Sequence, residues 1–438
     1  MSAGYAITTY KLQLCYKHLD WFKQTQSLFD AVLTFYYEQL DQNPQALSLT
    51  NQNLLRHLEL KTIPQRNGTQ PENPLPYKKV PLYFRRAAIN AAISLYRSYD
   101  SRLKAWEENH KGQTEKGKPK PPGKLHASML YYKGMYKDFD DKRIMLKLYT
   151  GKAWAWVKHR YTGRPFPENA ETMSPTIVIK GKKVMLHIPV KEKVEDTRTA
   201  KERVKQRESF VVVAFSSSDT LAVCTAIQAD GSAAHPYFIK GGKALAHRRK
   251  QLLGYIKRST VKVALPYAQH VGNNTLVVPK NDQTLTGRPN KKYYDKITRV
   301  TNHYAHEVSR KIVDYAKSHN AKIIVMPDYG NTFAKGTQHY LKTSVYNFIG
   351  RRIINDVKYK AWQCGIVVQQ SNIRDSAKHC AKCGEDITKY NTEYQNPSQK
   401  FYGGQNFVCK NGHQGSTILN TARNLGESFY QTFYKKAS

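Results

Sequence analysis

Acidic residues are scarce in this sequence: 33 Asp and Glu stand against 70 Lys and Arg in 438 residues, a formal net charge of +37. A globular surface with that excess repels itself unless a polyanion compensates it. Solubility alone is served by a net charge of about 2–8 in magnitude, which is far smaller. The cations also run through every segment rather than forming one tail. Together these features point to a nucleic acid held along much of the surface, with strongly salt-dependent binding. Apolar runs of transmembrane length are missing, and no secretory leader is recognisable, so no membrane partner is expected. The expected location is a reduced prokaryotic cytoplasm, in association with the nucleoid. Cysteine is sparse as well, six in all. Disorder is excluded by a 40% hydrophobic content and 30 tyrosines, and the length allows two or three domains with real cores.

Residues 5–14 alternate as a first strand. From Leu19 the apolar spacing turns helical through Phe22, Leu28, Val32, Phe35, Tyr36 and Leu40. A second helix is expected over Leu54–Leu60. A third follows Pro81, with Ile89, Ala92, Ile93, Tyr96 and Leu103 on one stripe and Arg85, Arg86, Arg97 and Arg102 on the other faces. Residues 111–124, rich in Lys, Pro and Gly, read as a flexible basic linker. Strand patterns then cover Arg143–Tyr149, Ala153–Tyr161 and a hairpin, Thr176–Lys180 with Lys183–Pro189. Trp154, Trp156 and Tyr161 are read as core aromatics of a small barrel in preference to base-stacking groups. A charged run, Lys191–Glu208, separates this barrel from three antiparallel strands at Ser209–Phe215, Leu221–Gln228 and His235–Ile239. A basic helix at Lys243–Lys257, an irregular stretch at 260–289 and a long amphipathic helix at Lys291–His319 come next. Strand Lys322–Met326, a helix from Tyr340 to Gln363, strand Gly365–Gln370 and a final helix at Ile418–Tyr434 complete the chain. Three antiparallel strands, helix, strand, helix, strand is the element order of an RNase H-like domain.

Near the end, Cys380 and Cys383 have the spacing that lets one tight turn present two thiolates to a tetrahedral zinc. Cys409 and His413 close the set about 25 residues later, within the range of structural zinc sites. Gly412 occupies the place that a second Cys-x-x-Cys would give its last cysteine, which leaves the fourth ligand open between His413 and another group.

Several segments, taken in order, resemble the transposon-encoded TnpB (IS605 OrfB) proteins and the type V CRISPR effectors. They are Ser174–Pro189, Leu221-Ala-Val223, Tyr359-Lys-Ala-Trp-Gln-Cys-Gly-Ile366, Cys380-Ala-Lys-Cys-Gly384 and Asn420-Thr-Ala-Arg-Asn424. The likeness covers most of residues 140–430; the N-terminal lobe matches only in general character. It implies an α+β multidomain fold. A wedge-like barrel would take its first strand from 1–18 and its body from 125–208, with a helical recognition lobe and basic linker inserted at 19–124. A RuvC-like domain would span 209–371, a zinc-binding target-strand module 372–415, and a final RuvC-like helix 416–438. It also implies two partners, a guide RNA and a double-stranded DNA target.

A RuvC-type nuclease holds two divalent ions between carboxylates. By the resemblance, one acid should end the first RuvC-like strand, at Phe215 or, with a one-residue slip, Ser216. A second should follow Ile324-Val-Met326, at Pro327, and a third should open the last helix, at Ile418. None of these is an acid, and Mg²⁺ wants hard oxygen ligands. Asp328 and Asp219 lie nearby, the first one residue off in strand phase and read as a turn or cap, the second expected in a turn. The expectation is therefore a nuclease-inactive, RNA-guided DNA-binding protein with structural zinc and no catalytic Mg²⁺. It would bind beside a short flanking motif and repress transcription. Two alternatives stand beside it: a dead type V effector that recruits transposition or transcription machinery, and an active endonuclease with displaced carboxylates. Arg86 and Asn90, at i and i+4, are candidates for reading the flanking motif. Lys78, Lys79, Arg85, Arg248, Arg249, Lys250, Arg351 and Arg352 are candidate phosphate contacts.

Overall fold

The computed structural model describes residues 4–65, 67–109, 117–140, 142–168, 171–216, 218–264, 269–271, 275–277, 290–328, 349–372, 376–390 and 404–435. The chain is a mixed α+β protein that divides into two compact units, Ile7–Glu192 and Met1–Ala6 with Lys193–Ser438.

The first unit is built on strand β1 (Tyr5–Cys15), helices α1 (Leu19–Gln42), α2 (Asn51–Thr62) and α3 (Leu82–Asn109), and strands β2 (Met129–Leu130) and β3 (Tyr136–Lys137). Strands β4 (Arg143–Tyr149), β5 (Trp154–Thr162), β6 (Glu171–Thr172), β7 (Thr176–Lys180) and β8 (Lys183–Lys193) complete it. Buried Phe22, Phe29, Val32, Leu33, Tyr36 and Leu40 recur at helical spacing along α1. They meet a stripe on α3 that is rich in alanine (Ala87, Ala88, Ala92), small enough to let the two helices approach closely. The sheet runs β2-β7-β8-β1-β5-β4-β3, with β6 on β8. Its two edge strands, β2 and β3, are only five residues apart in the chain, so the sheet must curl. Buried Tyr131 sits in that short connection. Its N–H donates to the Pro175 carbonyl at 2.8 Å, and its hydroxyl donates to the Lys147 carbonyl of β4 at 3.1 Å. Alternate residues fill the interior: Leu12 and Leu14 on β1, Ile144, Leu146 and Leu148 on β4, Leu186, Ile188 and Val190 on β8.

The second unit begins with α4 (Ala200–Lys205). It continues through β9 (Phe210–Phe215), β10 (Thr220–Ile227), β11 (Tyr237–Lys240), α5 (Gly242–Ala264), β12 (Gln269–Val271), β13 (Thr275–Val277) and α6 (Lys291–Ser318). After these come β14 (Ile323–Asp328), α7 (Gly350–Gln363), β15 (Val367–Asn372), β16 (Ile387–Tyr390), β17 (Asn406–Cys409), β18 (Gln414–Ser416) and α8 (Thr417–Phe433). A five-stranded sheet has the order β11-β10-β9-β14-β15. The first three strands are antiparallel, and β14 and β15 join in parallel, as their helical crossovers require. Strand alternation splits the core: Val211, Val213, Ile324 and Met326 face α6 and α7, while Phe210, Val212, Ile323 and Val325 face α8. Helix α8 lies so close that a Cβ on Gly426 would come within 2.5 Å of Ile227 Cδ1 and 3.0 Å of Val212 Cγ2.

Several expectations are revised. The run Lys191–Glu208 does not act as a separator: from Lys193 it belongs to the second unit. Its helix α4 carries a full capping box, with Thr199 and Glu202 satisfying each other's backbone N–H groups. Arg203 within it is fully buried and donates to the carbonyls of Arg198, Lys322, Gly365 and Asp196 at 2.7–3.1 Å, with the Asp196 carboxylate at 3.2 Å. The stretch 260–289 is not wholly irregular, since α5 extends to Ala264 and β12 pairs with β13. Strand β14 continues through Pro327 to Asp328, so Asp328 is a strand residue rather than a turn. The expected start of the helix at Tyr340, and residues 111–116 of the basic linker, lie outside the described residues. No helix among the described residues is long and apolar enough to cross a membrane.

Candidate metal knuckle and the end of the sheet

Two glycine-closed turns, one a residue shorter than the other, bring the four predicted ligands together. In the first, Cys380 accepts from the Gly384 N–H at 2.8 Å; in the second, Cys409 accepts from the Gly412 N–H at 3.0 Å. Both glycines have positive φ, 77° and 75°, which a side chain would resist. Gly412 is thus the turn residue, and the ligand falls one place later, on His413. His413 Nδ1 lies 3.4 Å from Cys383 Sγ, 3.6 Å from Cys409 Sγ and 3.8 Å from Cys380 Sγ, and the Cys383 and Cys409 sulfurs are 3.7 Å apart. A tetrahedral zinc with Zn–S of about 2.3 Å and Zn–N of about 2.0–2.1 Å requires separations of roughly 3.8 Å and 3.6 Å. The Cys₃His set therefore fits that ion. No disulfide links these cysteines. Strands β16–β18 and the side chains of Ile387 and Phe407 form the knuckle's small core.

The knuckle is fastened to α8 by two asparagines. Asn420 accepts from the Ala381 N–H at 2.8 Å and donates to the His379 carbonyl at 2.7 Å. Asn424, one turn on, donates to the carbonyls of Ser376 and His379 at 2.8 and 2.7 Å. Asn420 is buried, so these bonds satisfy groups with no access to water. Sequence reading took Asn420 and Asn424 as family markers and missed this clamp; the i, i+4 amide pair was its available signal. His379, read as a packing or surface group, holds Asp386 at 3.0 Å.

At the other end of α8's first turn lies the end of the sheet. The β9–β14 register pairs Val325 with Val212, so by continuation Pro327 stands beside Ala214. Going back along α8 from Gly426, which touches Val212, Ile418 lies about 12 Å nearer the N-terminus. That brings it level with the residues after Ala214. Pro327 shares the α8-facing phase of Val325. Phe215 does not: it packs in the opposite core, against the α6–α7 face. Of the two sequence alternatives, Ser216 has the phase of Val212, and its hydroxyl donates to Ser218 Oγ at 2.9 Å. Asp219 is committed to starting α5, accepting from the Lys243 N–H through its carboxylate at 3.1 Å and from Gly241 and Gly242 through its carbonyl. Asp328, exposed, has the alternation opposite to Pro327.

The predicted basic residues fall into different settings. Arg85 and Arg86 both grip Glu59 of α2, at 3.2 and 2.9 Å, and hydrogen bonding to Glu59 holds the Arg86 guanidinium above its ordinary pKa. Asn90 donates to the Tyr132 hydroxyl at 3.0 Å. These three side chains tie elements of their own unit together. Lys78, Lys79, Arg248, Lys250, Arg351 and Arg352 are exposed. Arg249 is not: it is buried on the α5 stripe that carries Leu245, Leu252 and Ile256, so it is corrected from a solvent-side phosphate contact to an inward residue. Trp154, edge-on to Phe84 and tilted against Tyr149, and Tyr161 are core aromatics as expected. Trp156 is exposed, between Lys137 and Lys147.

The Aq_aa04 family matches residues 6–150. No curated protein sequence matches the chain. Among solved structures, the Cas12f1 of a Cas12f1–sgRNA–target DNA complex matches with a TM-score of 0.53 and 14% identity, over 94% of this chain and 83% of that one. The fold is that of a type V, TnpB-like effector. AacC2c1, solved with sgRNA and extended non-target DNA, matches with a TM-score of 0.51 and 9% identity; this chain covers 59% of it with 80% of its own length. At these identities the likeness to type V effectors is one of fold.

Proposed function

We propose that this chain is an RNA-guided DNA-binding protein that does not cut its target. A bound guide RNA supplies sequence specificity by pairing with one DNA strand, and the protein reads a short motif in the adjoining duplex. The excess of positive charge suits a chain that holds two polyanions at once. Exposed Lys78, Lys79, Arg248, Lys250, Arg351 and Arg352 are its phosphate contacts. The Cys₃His knuckle holds a structural zinc that fixes the segment before α8. A protein that stays on DNA without cleaving it blocks a polymerase, and the output is repression of transcription.

One observation carries the loss of cutting. In the RuvC-like reading of the five-stranded sheet, the carboxylates of a two-metal clamp would project from the ends of β9 and β14 and from the first turn of α8. Those places hold Ser216, Pro327 and Ile418. Asp219 is occupied as a helix cap. A second reading, an active nuclease using displaced acids, rests on exposed Asp328 at the tip of β14. Sequencing of RNA copurified with the native protein identifies the guide. Gel shift on matched and mismatched duplexes, with plasmid cleavage in Mg²⁺, then separates the readings. Guide-dependent retention without strand breaks is expected, and guide-dependent breaks would establish the second reading.

A further inference from the structure

Helix α5 buries Leu245, Arg249, Leu252 and Ile256 and turns another face outward. On that face His247, Lys250, Gln251, Gly254, Tyr255 and Arg258 line an open cleft. Gly254 forms its floor. Nothing among the described residues lies within 4 Å of where its Cβ would be, and its φ is not positive, so neither crowding by the described residues nor backbone conformation calls for glycine there. A glycine inside a helix costs about 1 kcal/mol relative to alanine, and the usual return is close approach of another group to the backbone.

The walls say what that group is. Tyr255 is 48% exposed. Its ring lies parallel to that of Tyr293, with centroids 5.8 Å apart and 14° between planes. The Arg258 guanidinium sits 4.9 Å from the Tyr255 ring centre, and Lys292 Nζ sits 5.0 Å from that of Tyr293. Gln251 at the rim is held by His247 at 2.9 Å and Arg248 at 3.2 Å, which fixes an amide with a donor and an acceptor. None of the cleft residues is acidic, so an organic cation is disfavoured. An acidic peptide would use the cations but not the parallel tyrosine faces. A flat base joined to a phosphate uses both, and a guanidinium plane stacks on a base as readily as on a tyrosine. A paired base has its faces covered by its neighbours, so the base must be unpaired.

We propose that the Gly254 cleft holds one unpaired nucleotide of a single-stranded polynucleotide, with its base in the Tyr255–Arg258 stack and its phosphate at Lys250. The proposal rests on the RNA-guided reading and adds a place where that protein grips a strand outside the guide–target duplex. The test uses the full-length protein and labelled oligo(dT), oligo(U) and abasic strands of equal charge, each about 15 nucleotides, within the site sizes of single-strand grooves. Wild type is expected to prefer a base-bearing strand to the abasic one by about tenfold in fluorescence anisotropy, the effect of one stacked base. Tyr255→Ala and Gly254→Leu should each bring that preference close to parity. Gly254→Leu should do so without lowering the thermal midpoint, because leucine is the better helix former. The oligo(dT) and oligo(U) arms show whether the strand is DNA or RNA. A preference that survives in both variants, or no preference in wild type, overturns the proposal. Guide-dependent duplex retention is measured alongside; its absence in wild type overturns the RNA-guided reading, while the variants still judge the cleft.

Discussion

Two sites meet in the first turn of α8, and they have been treated differently. On one side Asn420 reaches the knuckle, where three thiols and an imidazole stand at the separations of a tetrahedral ion. On the other, two residues away in the chain, is Ile418, level along α8 with the sheet end that holds Ser216 and Pro327. The first site keeps every polar group that its geometry needs. The second, under the proposed reading, holds a hydroxyl, a proline and an isoleucine where a metal clamp would need carboxylates. A knuckle contributes to folding whether or not DNA is cut, whereas metal-binding carboxylates crowded together repel each other unless an ion is present. On the proposed reading the fold does not depend on acids at the second site, whereas the knuckle's fold depends on its four ligands.

The largest expected effect follows from that asymmetry. Cys383→Ser, or a strong chelator, should release zinc and unfold the knuckle, residues 376–390 and 404–416, since structural zinc in small domains is worth on the order of 10 kcal/mol. Metal analysis and limited proteolysis would show it, and an unchanged zinc content would contradict it. Next, Arg203→Met should destabilise the second unit by about 3 kcal/mol in denaturant melts, because it removes buried hydrogen bonds to four carbonyls and one of the two guanidinium partners of Asp196. Asn420→Ala removes two buried hydrogen bonds and should cost about 1–3 kcal/mol, loosening the knuckle from α8 while zinc stays bound. Ser216→Ala, at the other site, removes only local hydrogen bonds with Ser218 and should cost about 1 kcal/mol or less. The smallest effect concerns pH. Hydrogen bonds from Arg198, aided by the Arg203 charge, hold the Asp196 carboxyl down at about 2. A depressed carboxylate pKa adds stability that is fully present above its unfolded value near 4 and is lost as pH falls toward 2. Arg198→Ala should flatten that part of the acid stability profile.

Much of this fold could be read in the sequence because its signals were local. The runs Phe210–Phe215 and Ile323–Met326 are apolar enough to be two-sided buried strands, and the helical spacing of α1 and α6 is unbroken. The knuckle was legible as a spacing, His413 included as the less certain fourth ligand, and the positive φ of Gly412 shows why the ligand falls at His413. Backbone phase decides two points that the sequence missed or left open. Arg249 was grouped with its exposed neighbours although the helical repeat turns it inward. Of the two alignments that the sequence allows, Phe215 and Ser216, strand alternation gives the α8-facing phase to Ser216. Arg203 was lost in a charged run because composition cannot show that four carbonyls wait for it across the sheet end. Residue type marks what a side chain is able to do; one step of backbone phase decides whether it does it.

The central claim is retention of binding without cutting. The most direct measurement places the protein–RNA complex on a supercoiled plasmid with the guide's target, in Mg²⁺, and scores protection and strand breaks in the same tube. Guide-dependent protection of the target with the plasmid still supercoiled is the predicted result. Guide-dependent nicked or linear product would contradict it and return the acids near β14, Asp328 first among them, to a catalytic role.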